Sequence, residues 1–106
     1  MSEFRLSENE KLQGAKNFQF WYTTITGYLK AKKLHKHIEK DLPSLIITPG
    51  QGKSLTKAEL EYNQELIAND AAASTIIFTN VSDTVKMYIK DYKTAKERMS
   101  KILDLY

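Results

Sequence analysis

The short β-branched run Leu45-Ile46-Ile47-Thr48 could form a strand, but nothing else in the chain reads as a second strand to pair with it. An isolated strand is not a sheet, because its backbone donors and acceptors would have no ladder partners. The core must therefore come from helices. The same run leads through Pro49-Gly50-Gln51 into Gly52-Lys53-Ser54, which resembles the end of a phosphate-binding loop. That loop also needs a Gly five positions before the Gly of its Gly-Lys-Ser, so that the backbone can fold into a nest of N–H donors. Here that position is Ile47. Nucleotide hydrolysis on such a loop further needs a parallel sheet whose second strand brings a Mg²⁺-holding Asp, and the chain has no alternating βα units. Residues 43–55 are expected to be an exposed connection in which Pro49-Gly50 makes a turn.

The helical signals are clearer. Asn17 reads as an N-cap, and Phe18, Trp21, Ile25, Tyr28 and Leu29 fall at helical spacing, which predicts a helix over 17–33 with one apolar stripe. Leu34, His35, His37 and Ile38 suggest a short second helix, closed at Asp41-Leu42-Pro43 because the residue before proline is pushed out of the α region. Thr56 with Glu59 forms a capping box for a long helix ending at Asn80. Its expected inner face is Tyr62, Leu66, Ala73 and Ile77, assisted by Ile67 and Ile76, and the small run Asp70–Ser74 invites close approach of a neighbour. Ser82 can cap a brief helix containing Val85, Tyr88 and Ile89. Thr94 with Glu97 starts a last helix, with Ala95, Met99, Ile102, Leu103 and Tyr106 as its buried side. Residues 1–16 set Glu3, Glu8 and Glu10 against Arg5, Lys11 and Lys16, with only Phe4, Leu6 and Leu12 as apolar anchors, and read as an arm. The expectation is a compact all-α bundle of about five helices, one domain over 1–106, a length that suits a single core.

Composition removes several kinds of chemistry. The chain is 42% hydrophobic with four Gly and two Pro, too apolar and too poor in breakers for a disordered or fibrous protein. It has no Cys, which excludes disulfides, Cys-ligated zinc and a Cys nucleophile and is compatible with a reducing, cytoplasmic setting. The polar start MSEFRLSENEK lacks a signal peptide's apolar segment, and no stretch approaches the roughly 18 to 20 apolar residues of a membrane span. His35 and His37, two apart, would point about 200° apart on a helix, so they do not converge on a metal, and no third ligand stands out. Asp70 sits among Ala and Ile and should be partly buried, bonding to a neighbouring helix or its cap rather than doing catalysis. No Gly-x-Ser-x-Gly elbow occurs. No enzyme activity, cofactor, metal or small-molecule substrate is expected.

The basic residues form two clusters, Lys30, Lys32, Lys33, Lys36 and Lys40 after the first helix, and Lys86, Lys90, Lys93, Lys96, Arg98 and Lys101 in the last third. One explanation is a solvated face that also complements a helix dipole. The other is a nucleic-acid surface, for which Lys30, Lys32, Lys33 and Lys36 are the candidate contacts. The net charge of +3 is mild, and Arg, which dominates specific recognition, is scarce, so contact with RNA is expected to be weak or indirect. The aromatics Phe18, Trp21 and Tyr28 belong to the apolar stripe and read as core rather than as a base-stacking platform.

Leu12-Gln13-Gly14-Ala15-Lys16-Asn17-Phe18-Gln19-Phe20-Trp21, continuing through Ile25, Leu29, Leu34 and Ile38, resembles the L-x-G-x-x-N-[YF]-x-x-W-x-x-x-I-x-x-x-L opening of copia-type LTR-retrotransposon Gag proteins. Asp70-x-x-Ala73-x-x-x-Ile77 resembles that family's D-x-x-A-x-x-x-I helix, and Thr94-Ala95-Lys96-Glu97 with Met99, Ile102 and Tyr106 is similar to its T-A-[KR]-E-x-W-x-x-L-x-x-x-Y segment. The chain departs from the pattern at Leu66 and Met99, where the family usually has Trp, and segment 45–54 has no counterpart in it. The resemblance implies the first, retroviral-capsid-like lobe of a Gag protein, which in the family is followed by a second helical lobe and often a zinc knuckle. Its implied function is self-association into cytoplasmic virus-like particles that package retrotransposon RNA, through homo-oligomeric Gag contacts and without a membrane. The expected assembly face is the amino-terminal arm with the outer face of the first helix, Thr24, Gly27 and Ala31, where small side chains permit close approach. The rival readings are a nucleic-acid-binding module and a host protein that adopted a Gag-like domain as an adaptor.

Overall fold

The computed structural model describes residues 4–106; Glu3 and the start of the arm lie outside them. Among the described residues there are six helices: α1 (Ala15–Ala31), α2 (Lys36–Glu39), α3 (Leu42–Leu45), α4 (Lys57–Thr79), α5 (Asp83–Ile89) and α6 (Ala95–Leu105). No strand forms among them, and the one β feature is an isolated parallel bridge between Leu12 and Val81. The protein is all-α.

Side-chain caps set the starts of α4, α5 and α6. Thr56 accepts the Glu59 amide while Glu59 returns to the Thr56 amide, and Thr94 and Glu97 do the same for α6. Ser82 accepts the Val85 amide to open α5. Each bond satisfies a donor that a helix start leaves without an internal partner.

The core is one cluster drawn from the amino-terminal segment, α1, α2, the second half of α4, α5 and α6: Leu12, Trp21, Ile25, Leu29, Leu34, Ile38, Ala73, Ile77, Val81, Val85, Ile89, Ala95, Met99 and Ile102. α6 packs on α4, α2 and α5, and α1 packs on α4. Leu66 and Met99, the two positions where Trp is usual in the resembling family, are both buried, so a large apolar side chain fills each place.

Several expectations need correction. Helix α1 begins two residues earlier than expected, and Asn17 is not its cap. Asn17 sits within the first turn and reaches back, its Oδ1 accepting the Gln13 and Gly14 amides and its Nδ2 donating to the Lys11 carbonyl. Pro43 opens a helix instead of closing one. It stands in the first turn of α3, where its missing N–H costs nothing, and Asp41 caps that turn by accepting the Leu42 amide. This extra turn accounts for six helices against about five. Tyr62 and Ile67, expected inside, are 46% and 49% exposed, because the buried side of α4 runs through Leu66, Asp70, Ala73, Ser74 and Ile77. Leu103 and Tyr106 are 44% and 37% exposed, since α6 turns Ala95, Met99 and Ile102 inward.

The arm is not free. Leu12 is fully buried, its amide donates to the Asn80 carbonyl, and its own carbonyl accepts the Ser82 amide. Phe4 stacks on Tyr28 with ring centroids 4.0 Å apart.

Candidate functional site

Most of the motif residues are buried: Leu12, Trp21, Ile25, Leu29, Asp70, Ala73, Ile77, Ala95 and Met99. Phe18 packs half-buried against the core, stacked on Tyr22 and on Tyr106. They hold the domain together, so any surface with work to do must lie elsewhere.

The outer face of α1 carries Thr24, half-buried, with Gly27 and Ala31, both exposed. A side chain added at Gly27 would meet nothing within 4 Å. Phe20 stands one turn earlier on the same stripe and is 57% exposed, although sequence reasoning did not single it out. Its signal was available, because 20, 24, 27 and 31 follow the helical repeat along a stripe turned about 110° from Trp21 and Ile25. A phenyl ring followed by two small residues is a shallow apolar strip open to a flat partner.

The basic corner is where α1 ends. Lys30 lies in its last turn and Lys32 caps it with the ammonium 5.7 Å from the Tyr28 ring centroid. Lys33 takes a left-handed backbone with φ of 61°. There the Lys33 amide donates to the Lys30 carbonyl and the Leu34 amide to the Leu29 carbonyl, which is the paired closure of a Schellman turn. Lys36 follows at the start of α2, and all four lysines are exposed. None makes an ion pair among the described residues, whereas neighbouring Glu39 is occupied by His35 at 2.7 Å.

The two histidines part company, as their spacing requires. His35 is half-buried beside Glu39, while His37 is fully buried with neither ring nitrogen hydrogen bonded. Its Nδ1 lies 3.6 Å from Oδ1 of Asp70, beyond hydrogen-bond reach. Asp70 is itself buried and accepts the Ala95 amide at the start of α6 at 3.3 Å. Burial holds the imidazole's proton affinity below its ordinary value against the pull of Asp70, and raises that of the Asp70 carboxyl despite the Ala95 bond. Sequence reasoning reached the buried aspartate and missed the histidine beside it.

The connection after α3 makes no phosphate nest. Ile46 is extended at the end of α3, and Asn63 of α4 clamps Ile47, accepting its amide and donating to its carbonyl, both at 2.8 Å. Gly50 and Lys53 close a turn in which Gly52 has φ of 72°, a conformation that favours glycine. Gly50 through Ser54 are exposed. An open groove between the α3 cap and α6 is lined by Asp41, Lys96, Glu97, Lys101 and Asp104, whose opposed charges do not converge on one ligand chemistry. Among the described residues no group of three His, Asp or Glu could hold a metal, and no helix is long and apolar enough to cross a membrane.

Comparison with protein-family models, with curated proteins and with solved structures finds no match to this chain.

Proposed function

We propose that this chain is a Gag-like capsid lobe, a helical unit that associates with copies of itself into particles enclosing retroelement RNA in the cytoplasm. One observation carries the reading. The residues of the resemblance come from the amino-terminal segment, α1, α4 and α6, yet Leu12, Trp21, Ile25, Leu29, Ala73, Ile77, Ala95 and Met99 meet in a single buried cluster. That the motif residues share one packing arrangement supports the reading. The strip of Phe20, Thr24, Gly27 and Ala31 is the surface most suited to copy-to-copy contact, since repeated weak contacts gain strength through multivalency in a closed assembly.

Sedimentation velocity and electron microscopy of the purified chain test this. Concentration-dependent oligomers or particles are expected, and Gly27→Lys should remain a folded monomer, because the added side chain enters open space. Normal particles from Gly27→Lys, or a wild-type chain that stays monomeric at high concentration, would remove the proposal.

A second reading rests on the basic corner. Lys30, Lys32, Lys33 and Lys36 stand exposed and without carboxylate partners among the described residues, as phosphate contacts would. Binding to single-stranded RNA that weakens steeply with salt, and is lost when all four become Gln, supports it. An absence of binding near physiological salt sinks it.

A further inference from the structure

α2 and α3 are four residues each, too short to persist on their own; α2 buries His37 and Ile38, while α3 rests on α4 without a fully buried residue. Their anchor is mixed. Leu34 and Ile38 go into the core, but so does His37, whose two ring nitrogens find no partner there. The carboxylate across the interface, Asp70 on α4, is 3.6 Å away and already engaged with the Ala95 amide at the start of α6, where unpaired N–H groups favour negative charge. α2 packs on both α6 and α4, so His37 sits where three helices meet.

We propose that Lys36–Leu45 is an acid-released flap: proton uptake by His37 in mildly acidic solution detaches α2 and α3 from α4 and α6 and uncovers their inner faces. An imidazolium in this position would carry a charge and two N–H donors into an interior that satisfies neither nitrogen, whereas the detached segment hydrates both. The surrounding charges divide. Lys36, on the same helix, opposes the added proton, and Asp70 favours it. Asp41 at the α3 cap and Glu97 on α6 both oppose ionisation of Asp70, and so weaken the help it can give.

The direction follows from where each group prefers its proton. His37 binds a proton less readily closed than detached, so closure is favoured above pH 6.5, its ordinary value, and loses ground as pH falls below it. In that window the opening constant rises by up to about tenfold per pH unit. Asp70 works in the opposite sense. Burial makes it take a proton more readily in the closed state, so its contribution favours closure as pH descends toward the carboxylate range and limits release from below.

The test uses the native chain. Imidazole titration by NMR should place His37 below 6.5, and amide exchange, corrected for intrinsic rates, should show protection over 36–45 falling about tenfold between pH 7.5 and 5.5 while amides over 66–77 hold. His37→Gln should flatten that pH dependence. If His37 titrates at or above 6.5, or if protection over 36–45 keeps pace with that of α4 at both pH values, the flap is overturned. Both readouts come from unsubstituted protein, so the outcome stands even where His37→Gln does not fold, and it is independent of whether the chain assembles.

Discussion

The indole N–H of Trp21 donates to the main-chain carbonyl of Asn80 at 2.6 Å, across 59 positions of sequence. The same carbonyl accepts the Leu12 amide at 3.3 Å. The Asn80 side chain meanwhile accepts the Leu6 amide at 2.7 Å and donates to the Ile76 and Phe4 carbonyls. A helix end leaves carbonyls without internal partners, and here that surplus becomes the fastening for α1 and the amino-terminal segment together.

Trp21→Phe should cost about 2–4 kcal/mol in urea unfolding. It removes the indole donor and leaves a void in a fully buried site, while the Asn80 carbonyl keeps only its Leu12 partner. A loss under about 0.5 kcal/mol would show that the bond contributes little.

Asn80→Ala should separate two regions of the fold. It strands the Leu6 amide and the Phe4 carbonyl, with an expected cost of about 1–3 kcal/mol. Amide exchange over 6–12 should accelerate more than that of α6. Uniform acceleration throughout would mean that Asn80 supports global stability without fastening the segment.

Lys33→Gly should stabilise the protein by about 1 kcal/mol, because a side chain with φ of 61° carries the left-handed penalty that glycine avoids. Lys33→Ala removes the same charge and keeps the strain, so it should yield no such gain. Thermal unfolding of the pair distinguishes backbone relief from charge removal.

Arg98→Lys should cost about 1–2 kcal/mol despite keeping the charge. The guanidinium donates to the Tyr92 carbonyl at 2.7 Å and the Ser74 carbonyl at 3.2 Å, with its carbon 4.5 Å from the Phe78 ring centroid. An ammonium can make one of those contacts well but not the planar set. A Lys variant as stable as the parent by urea unfolding would show that the stacked fork is dispensable.

Local signals were legible where their geometry is short-range. The Thr56–Glu59 and Thr94–Glu97 boxes, the Ser82 cap and the stripe of Trp21, Ile25 and Leu29 all follow from spacings of three and four residues. Two misreadings came from residues with two local uses. Asn17 can cap a helix or reach back from its first turn, and Pro43 can end a helix or begin one. On α4, side-chain size misled: Tyr62 and Ile67 are large and apolar, but the inward face passes through Asp70 and Ser74, whose partners Ala95 and Lys93 are supplied by a distant segment. Asn80 and His37 were illegible for that reason as well. Nothing near them in sequence announces burial, and their surroundings exist only once α1, α2, α4 and α6 have come together. The candidate surface was read only in part, since Thr24, Gly27 and Ala31 were named without the exposed Phe20 beside them.

The bridge from Leu12 to Val81 also orders events at the ribosome. Trp21 and Leu12 emerge early, yet the backbone groups that receive them are not made until most of the domain has been translated. Until then an amphipathic α1 must travel with its indole in water, during the interval when nascent chains are most prone to capture by chaperones or by one another. Synonymous codon changes that slow synthesis between Trp21 and Asn80 would lengthen that interval without altering a single side chain.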